Sequence, residues 1–291
     1  MLGVVNLDKP VGQTSHDMVG MMRRLTGTRR IGHAGTLDPL ASGVLPILVG
    51  AATRFSEELT GGSKRYDAVI RLGARSATDD AEGPIEATDG PLPDEDAVRA
   101  ALAGFVGTFE QMPPAFSARK LGGRTAHRAA RAGDPLVLAP RRVTVHALDL
   151  LAVEPSGRFI DVQVDLHCGA GTYVRSLARD LGEQLGCGGH LHTLRRTEAA
   201  GLSVADAVTP QRLEVLASEG RLAEALLPVG DLLTLPRVIL DADAAVAFRH
   251  GSARQVAGAD EGSVAVFEDE ELIGIGSVSA GVLQPHKVLP A

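Results

Sequence analysis

A single carboxylate, Asp38, lies in a glycine-rich loop whose composition suits contact with another molecule. The loop belongs to the stretch "RRIGHAGTLDPLASGVLPILVG", residues 29–50. Its glycines let the backbone bend or let another chain approach closely. Pro39 biases Asp38 toward an extended or turn conformation, which holds the side chain on a stiff corner of a pliable loop. An ionised carboxylate presented in this way can act as a nucleophile or stabilise positive charge.

The Asp38 loop has simpler interpretations when it is taken alone. An Asp-Pro pair more often forms a turn than a catalytic site, and a lone histidine such as His33 is more often a hydrogen-bonded structural residue. The stretch contains no Gly-Lys-Ser/Thr sequence, so a phosphate-binding P-loop is excluded. A catalytic interpretation therefore depends on the rest of the chain.

Two basic clusters indicate a polyanionic partner. The formal net charge is −7, which argues against a protein that coats nucleic acid indiscriminately. The first cluster, in residues 114–142, has one acid, Asp134, against Arg119, Lys120, Arg124, Arg128, Arg131, Arg141 and Arg142. The second, which leads into the Asp38 loop, consists of Arg23, Arg24, Arg29 and Arg30. Local basic patches on an acidic chain are typical of a protein that grips one defined polyanion, although each cluster alone also fits a solvated surface.

The elements that would position the loop predict a mixed fold. Apolar spacing predicts a helix over residues 14–27, and alternation predicts a strand in "KRYDAVIRLG". Two alternating arms joined at "PSG" predict a hairpin over residues 141–168. We also expect a short helix within the basic segment 114–142, and an amphipathic helix in "GTYVRSLARDLGEQLG" that is capped by Thr172. Because hairpins and helices mix without regular βαβ alternation, the sequence predicts an α+β fold.

The composition disfavours several other classes of protein. No run approaches the roughly 20 apolar residues that span a membrane, and "MLGVVNLDKP" lacks the layout of a signal peptide. The two cysteines, Cys168 and Cys187, do not make a disulfide framework, so we expect a cytoplasmic protein. Together with His190 and His192 they match no common zinc spacing, so no metal site is predicted.

Four motifs resemble those of the TruB family of bacterial tRNA pseudouridine synthases. "GHAGTLDPLASGVL" is similar to the family's catalytic motif, and "LDKPVGQTSHD" to its N-terminal motif. "KRYDAVIRLG" resembles its tyrosine strand, and "CGAGTYVRSLARDLGEQLGCGGHLHTLRRT" its arginine motif with the strand that follows. The motifs keep the family's order and cover most of residues 3–200. The resemblance implies the pseudouridine synthase fold, with a mixed, largely antiparallel central sheet flanked by helices.

The resemblance also implies three catalytic residues. Asp38 matches the essential carboxylate that acts at the target nucleotide. Tyr66 matches the tyrosine that packs against the target base and handles a proton. Arg175 matches the arginine that pairs with the catalytic acid.

Four further residues match positions that bind the substrate. His33 corresponds to the histidine that stacks where the extruded base had been. Tyr173 and Leu194 correspond to residues that line the uracil pocket. Lys9 matches the lysine of the first motif, which has a supporting role.

These implied roles agree with the chemistry. Isomerising uridine breaks the C1′–N1 bond, turns the base and joins C5 to C1′, so the base must first swing out of the folded RNA at a cost of a few kcal/mol. A ring that fills the gap regains about 1–3 kcal/mol by stacking. Burial raises the pKa of a carboxylate, and a nearby guanidinium lowers it again. The reaction is neutral and non-redox, so no cofactor is expected.

The sequence pattern changes near residue 230, to a helix followed by short strands with tight turns, and this change suggests two domains. We expect a catalytic domain over residues 1–230, in which the basic segment 114–142 grips RNA. Residues 231–291 are predicted to form a small β-rich module, similar in position and size to the family's PUA-type RNA-binding domain. The expected substrate is the T-stem-loop of tRNA, at position 55, and the protein is expected to be a monomer without a protein partner.

Three other functions remain open from the sequence. A non-catalytic RNA-binding protein or tRNA-folding chaperone would need the basic patches but not Asp38. A glycoside hydrolase would need two acids that flank the scissile bond, and no second acid stands out. Within the family, the relatives that modify rRNA with guide RNAs usually carry basic tails, which this acidic chain lacks.

Overall fold

The computed structural model describes residues 1–116, 120–121, 124–125, 134, 136, 138–256, 258 and 261–290. The helices are α1 (Ser15–Thr26), α2 (Ser56–Thr60), α3 (Glu95–Ala103), α4 (Val174–Gln184), α5 (Pro210–Ser218) and α6 (Ala242–Arg249). Short 3-10 helices cover Gly50–Phe55, Val204–Asp206, Leu222–Ala225 and Val229–Leu232. In the described part of the chain, no helix has the length and apolar character that crossing a membrane requires.

The strands of the first two hundred residues are β1 (Gly3–Lys9), β2 (Ile31–His33), β3 (Ser42–Val49), β4 (Lys64–Leu72), β5 (Ala74–Ser76), β6 (Ile85–Ala87), β7 (Gly107–Gln111), β8 (Lys120–Leu121), β9 (Arg124–Thr125), β10 (Arg141–Ser156), β11 (Phe159–Cys168) and β12 (Gly189–Ala199). The remaining strands are β13 (Leu202–Ser203), β14 (Arg237–Leu240), β15 (Arg254–Gln255), β16 (Gly262–Glu268), β17 (Glu271–Ser279) and β18 (Val282–Val288).

A nine-stranded sheet forms the centre of the molecule. Its order is β1-β3-β12-β4-β11-β10-β7, with β2 paired to β3 and β13 to β12. The β12–β3 pair is parallel, whereas β12–β4, β4–β11, β11–β10 and β10–β7 are antiparallel. The predicted α+β fold with a mixed, largely antiparallel central sheet is therefore confirmed. The order also brings β4 and β12, which are far apart in sequence, side by side.

Local capping explains where α1 begins and ends. The Thr14 side chain accepts a hydrogen bond from the backbone N–H of Asp17, and the Asp17 carboxylate accepts one from the backbone N–H of Thr14. This reciprocal capping box satisfies donors that the first turn leaves free. Gly27 ends the helix at φ 67°, a left-handed conformation that glycine adopts without a Cβ penalty. The helix predicted over residues 14–27 is confirmed.

The predicted start of the arginine-motif helix is wrong by a small margin. Helix α4 begins at Val174, and its N-cap residue is Tyr173, which makes no side-chain capping bond. The Thr172 hydroxyl instead donates to the backbone carbonyl of Gly169 at 3.1 Å. Thr172 therefore closes the turn before the helix rather than capping it. The short helix expected within the basic segment 114–142 falls on residues outside the described set. The described residues of that segment include the two short strands β8 and β9.

A second, five-stranded sheet forms the β-rich C-terminal part. Its order is β14-β16-β17-β18-β15, and Phe248 of α6 is buried in its hydrophobic cluster. The β-rich character predicted after residue 230 is confirmed.

The C-terminal sheet shares a hydrophobic cluster with the central sheet. Phe55 and Leu59 pack in one buried cluster with Phe267, Leu272 and Ile275 of the second sheet. An ion pair at the edge joins the same elements, because Lys287 Nζ lies 2.7 Å from a carboxylate oxygen of Glu58 on α2. The sequence predicts a separate module, whereas the structure joins it to the rest through a common core.

This shared cluster predicts that damage in the second sheet destabilises the first. Phe267 is 1% exposed, so Phe267→Ala should lower the free energy of unfolding by about 3–5 kcal/mol. Urea unfolding followed by tyrosine fluorescence is a selective test, because the chain has no tryptophan and only two tyrosines. Tyr66 and Tyr173 both lie outside the second sheet, so the fluorescence midpoint reports the first.

Ile239→Ala is the matched control, since Ile239 lies in the same sheet and is 65% exposed. It should leave the tyrosine midpoint nearly unchanged. A tyrosine midpoint that is also unchanged in Phe267→Ala, with a separate earlier transition by circular dichroism, would contradict the coupling.

Candidate active site

The Asp38 loop, β4, β12 and the start of α4 enclose one cavity. Its volume is about 250 Å³, slightly below the range of pockets that bind drug-sized molecules. The lining residues are Gly35, Thr36, Leu37, Asp38, Thr60, Lys64, Tyr66, Gly171, Thr172, Tyr173, Val174, Arg175, Leu194 and Arg196. Five of the seven residues expected at the site, Asp38, Tyr66, Arg175, Tyr173 and Leu194, therefore meet in one cavity. Its size suits a single nucleobase or nucleoside.

An ion pair between Asp38 and Arg175 lies in the wall of the cavity. Arg175 Nε is 3.0 Å from Asp38 Oδ2. The Arg175 side chain is 7% exposed, whereas the Asp38 side chain is 39% exposed because it opens onto the cavity. The geometry leaves the carboxylate accessible from the cavity while its partner is enclosed by protein.

A second acid, which the sequence analysis missed, binds the same guanidinium. Asp80 Oδ2 lies 3.5 Å from Arg175 Nη1, and the Asp80 side chain is 3% exposed. Asp80 does not line the cavity, so it does not form a pair of acids flanking a substrate bond as glycoside hydrolysis needs.

Local hydrogen bonds hold Asp80 in place. Its carboxylate accepts bonds from the Thr78 hydroxyl and from the backbone N–H of Glu82. The backbone at Asp79 accepts a bond from the N–H of Leu191 in β12 at 3.0 Å. The acidic residues between β5 and β6 are thus held next to Arg175 and β12 by tertiary contacts, and no periodicity in their sequence predicts this placement.

Arg175 is also fixed by backbone oxygens. Its Nη1 donates to the carbonyl of Thr78 at 3.1 Å, and its Nη2 donates to the carbonyl of Phe116 at 2.9 Å. The guanidinium therefore has partners on several sides and can take few other orientations. Because Phe116 belongs to the basic segment 114–142, this bond also ties the start of that segment to Arg175.

Burial controls the protonation of the groups around the cavity. It raises the pKa of Asp38, the Arg175 guanidinium lowers it, and the negative charge of Asp80 raises it again. The resulting pKa of Asp38 lies above its ordinary value. Burial also raises the pKa of the Tyr66 hydroxyl, so Tyr66 stays protonated near neutral pH.

Arg196 and Lys64 are two buried cations that the sequence analysis also missed. Arg196 is 1% exposed, and it donates to the carbonyls of Val44 at 2.7 Å and Gly35 at 3.0 Å. Lys64 Nζ donates to the carbonyls of Thr60 and Gly62, both at 2.6 Å. Burial lowers the pKa of Lys64 to about 8. The sequence signal for Lys64 is a charge at an inward-facing position of a strand. Buried and exposed residues alternate along β4, and Lys64 lies on the same buried face as Tyr66.

Lys9 lies beside the cavity rather than in its wall. Its Nζ donates to the carbonyls of Pro10 at 2.8 Å and Gln13 at 2.6 Å. Burial lowers the pKa of Lys9 to about 8, although the negative charge of Asp38 opposes this shift. Lys9 therefore holds the loop before α1 and adds positive charge near Asp38.

His33 lies in an adjoining groove rather than in the cavity. The groove is lined by His33, Gly35, Thr36, Ser56, Glu57, Thr60, Gly61, Arg141, Ala170 and Gly171. Burial and the charge of Arg196 lower the pKa of His33, so the imidazole is neutral near neutral pH. Four residues line both spaces, which makes the groove a continuation of the cavity toward solvent.

Within the described residues, no group of three or more histidine, cysteine or acidic side chains is placed to hold a metal ion. The side chains named above contribute to the chemistry at the cavity. They supply one carboxylate that faces the cavity, a phenol that remains protonated and several fixed cations.

Three family models match successive parts of the chain. Residues 23–174 match "TruB family pseudouridylate synthase (N terminal domain)". Residues 175–247 match "tRNA pseudouridylate synthase B C-terminal domain", and residues 236–289 match "Pseudouridine synthase II TruB, C-terminal". The matches include both the cavity and the second sheet.

Curated relatives are similar over nearly the whole chain. A tRNA pseudouridine synthase B of Burkholderia mallei is 44% identical over 296 aligned positions, which cover 99% of this chain and 96% of the relative. The protein of the same name from Ralstonia pickettii is 41% identical over 299 positions, covering 99% and 94%.

Solved structures show the same architecture. The archaeal box H/ACA sRNP Nop10-Cbf5 complex contains a chain that is 28% identical, with a TM-score of 0.75 over 99% of this chain and 86% of that one. A chain of an H/ACA RNP bound to a substrate RNA containing 2'-deoxyuridine is 26% identical, with a TM-score of 0.74 over 99% and 85%. The chain described here belongs to the TruB family of pseudouridine synthases, enzymes that isomerise uridine in RNA.

Proposed function

We propose that this enzyme converts uridine 55 in the T-loop of tRNA to pseudouridine, with Asp38 as the essential group. The relatives that are 41–44% identical are named tRNA pseudouridine synthase B, which supports tRNA as the substrate. One observation carries the mechanistic part of the proposal. The Asp38 carboxylate faces a cavity of about 250 Å³, too small for a folded RNA helix but suited to one extruded nucleotide.

The reaction begins with the target nucleotide outside its stack, since its reacting atoms are hidden in a folded RNA loop. The C1′–N1 bond breaks, the base turns, and C5 bonds to C1′. The proton on C5 is then lost, and N1 gains a proton. The atoms of substrate and product are the same, so the enzyme needs to supply only position, charge and proton transfer.

Asp38 acts in its ionised form, as a nucleophile or as the charge that stabilises C1′ when the bond breaks. Arg175 keeps that form available in the low-dielectric wall of the cavity, because a guanidinium cannot lose its own charge. Asp80 holds the other side of Arg175 and so orients it toward Asp38. We assign Asp38 the catalytic role, with Arg175 and Asp80 as the groups that maintain it.

Tyr66, Tyr173 and Leu194 hold the base. Tyr66 packs against it as a neutral phenol, and its hydroxyl can donate a proton or a hydrogen bond. Tyr173 and Leu194 supply apolar surface, and the backbone of Tyr173 is fixed by the Gln111 side chain through two hydrogen bonds of 3.0 and 2.9 Å. A rigid pocket favours the reacting orientation of the turned base.

His33 and Lys9 act at the edge of the site. The neutral His33 ring, which lies outside the cavity, suits stacking in the space that the extruded base leaves. Lys9 supports the loop before α1 by binding its carbonyls. We further propose that residues 1–230 form the catalytic domain and that residues 231–291 form a PUA-like RNA-binding domain, which the family match over residues 236–289 supports.

Asp38→Asn should abolish isomerisation while RNA binding remains. Removing the charge should lower the single-turnover rate by at least about 10³-fold, because a preorganised group that stabilises developing charge is lost. The measurement is tritium release from C5-labelled uridine in tRNA transcripts, beside RNA affinity by filter binding. Asp67→Asn is the control, since Asp67 is an exposed neighbour of Tyr66 on β4. Turnover by Asp38→Asn close to that of Asp67→Asn would remove Asp38 from the mechanism.

The pH dependence should report the influence of Asp80 on Asp38. Activity should fall at acid pH as Asp38 becomes protonated, from a pKa that burial has raised. Because the charge of Asp80 adds to that rise, Asp80→Asn should move the acid limb of the single-turnover rate to lower pH, even if the plateau rate falls. An acid limb that stays in place or moves to higher pH would show that Asp80 does not act on Asp38 in this way.

The substrate assignment predicts selectivity for one arm of tRNA. An isolated T stem-loop should be modified at its target uridine, and an anticodon stem-loop of equal length should not. Chemical mapping of pseudouridine in tRNA from a strain lacking this protein provides the cellular test. Loss of pseudouridine from another loop, with position 55 still modified, would contradict the assignment.

A further inference from the structure

The groove that continues from the cavity contains an unusual pair of buried nitrogen atoms. Among the described residues, neither His33 Nδ1 nor Arg141 Nε has a hydrogen-bond partner, although both atoms are shielded from solvent. Both side chains line the groove. Buried polar atoms are normally satisfied, so two unsatisfied nitrogens in one groove indicate a ligand there. Arg141 Nε can only donate, so that ligand has to supply at least one acceptor.

Arg141 is held in the groove by the shape of the chain around it. It is the first residue of β10 and pairs with Gln111 of β7. Its guanidinium packs directly on Gly171, where a Cβ would overlap it. Gly171 has φ +85°, a conformation that also favours glycine. Gly171 therefore provides the space that the Arg141 guanidinium occupies at the mouth of the cavity.

The charge of Arg141 is not neutralised within the described part of the protein. No carboxylate there lies within ion-pair distance of it. The acid that lines the same groove, Glu57, is 87% exposed at the rim and lies 3.2 Å from Lys287. A planar cation with free donors matches the geometry of a phosphate, which accepts two parallel hydrogen bonds from a guanidinium.

We propose that this groove binds the RNA phosphodiester next to the extruded uridine, with Arg141 as the phosphate-binding residue and Gly171 as the residue that positions it. The inference rests on the proposed function, since it names one contact of that substrate. The groove and cavity share Gly35, Thr36, Thr60 and Gly171. A phosphate fixed in the groove therefore places the attached ribose at the entrance, where C1′ can approach Asp38.

The contact should appear in RNA binding rather than in the chemical step. Arg141→Met should raise KM for a T stem-loop by about tenfold, the usual effect of losing one charge-assisted hydrogen bond. The single-turnover rate at saturating RNA should stay close to wild type. The slope of log affinity against log salt concentration should fall by about 0.7, as expected for one phosphate contact with a single strand.

Arg142 provides the matched control. It is the next residue on the same strand, so its side chain points to the other face, and it is exposed. Arg142→Met removes the same charge from the same region and should raise KM much less than Arg141→Met does. Arg141→Lys should recover most of the affinity because it keeps the charge, although a lysine lacks the planar fork.

Replacing single phosphates identifies the partner atom. T stem-loops are made with a neutral methylphosphonate on the 5′ side or on the 3′ side of the target uridine. One of these should bind wild type about tenfold more weakly, and Arg141→Met should bind that RNA and the natural RNA equally. Gly171→Ala should weaken binding too, and adding Arg141→Met to it should cause no further loss, since both act on one contact.

The binding cycle, which combines these protein variants with the natural and methylphosphonate RNAs, is also measured in the Asp38→Asn background, where no turnover is expected. If Arg141→Met and each methylphosphonate lowered the RNA affinity independently, so that their losses added, the proposed phosphate contact would be overturned. So would equal effects of Arg141→Met and Arg142→Met. A wild-type enzyme that binds the T stem-loop through this cycle but forms no pseudouridine would instead overturn the proposed function.

Discussion

The burial of Arg175 is the constraint on which the site depends. A cation in the first turn of a helix opposes the helix dipole, and a guanidinium removed from water must be paired to be tolerated. Two carboxylates from distant segments meet that requirement, Asp38 at 3.0 Å and Asp80 at 3.5 Å. The Asp38 loop and the acidic segment before β6 are therefore held against α4 by the same charge. Because only Asp38 opens onto the cavity, the arrangement presents one of its two acids to a substrate and keeps the other for support.

Two further cations, Lys64 and Arg196, line the cavity together with the negative Asp38. Arg196 binds the carbonyls of Gly35 and Val44, so it fixes the glycine-rich loop from below. Lys64 binds two carbonyls at the end of α2. Burial lowers the pKa of Lys64 to about 8, and the nearby positive charge of Arg196 adds to this shift. Lys64 and Arg196 line the cavity itself, so they would attract the negative charge of an RNA that enters it.

The sequence revealed the parts of this arrangement that follow local rules. The capping box of α1, the alternation of β4 and the hairpin of β10 and β11 are all visible in short windows, and the motif that contains Asp38 led to the family. Asp80, Lys64 and Arg196 were missed because their burial arises only when β4, β12 and α4 are assembled. Thr172 was assigned as a cap because its residue type suits one, but its hydroxyl is used by the preceding turn. Tertiary contacts, rather than residue preference, decide the environment of each of these side chains.

The wall of the cavity is continuous with the C-terminal sheet. Lys287 of β18 binds Glu58 at 2.7 Å, Leu59 packs in the shared cluster, and the next residue, Thr60, both lines the cavity and binds Lys64 Nζ through its carbonyl. Helix α2 is thus one short element with a face in each part of the molecule. RNA held by the second sheet would act on an element that also shapes the pocket for the extruded base. Deleting residues 231–291 would expose that cluster, so affinity and chemistry are better separated by substitutions at the rim than by removing the domain.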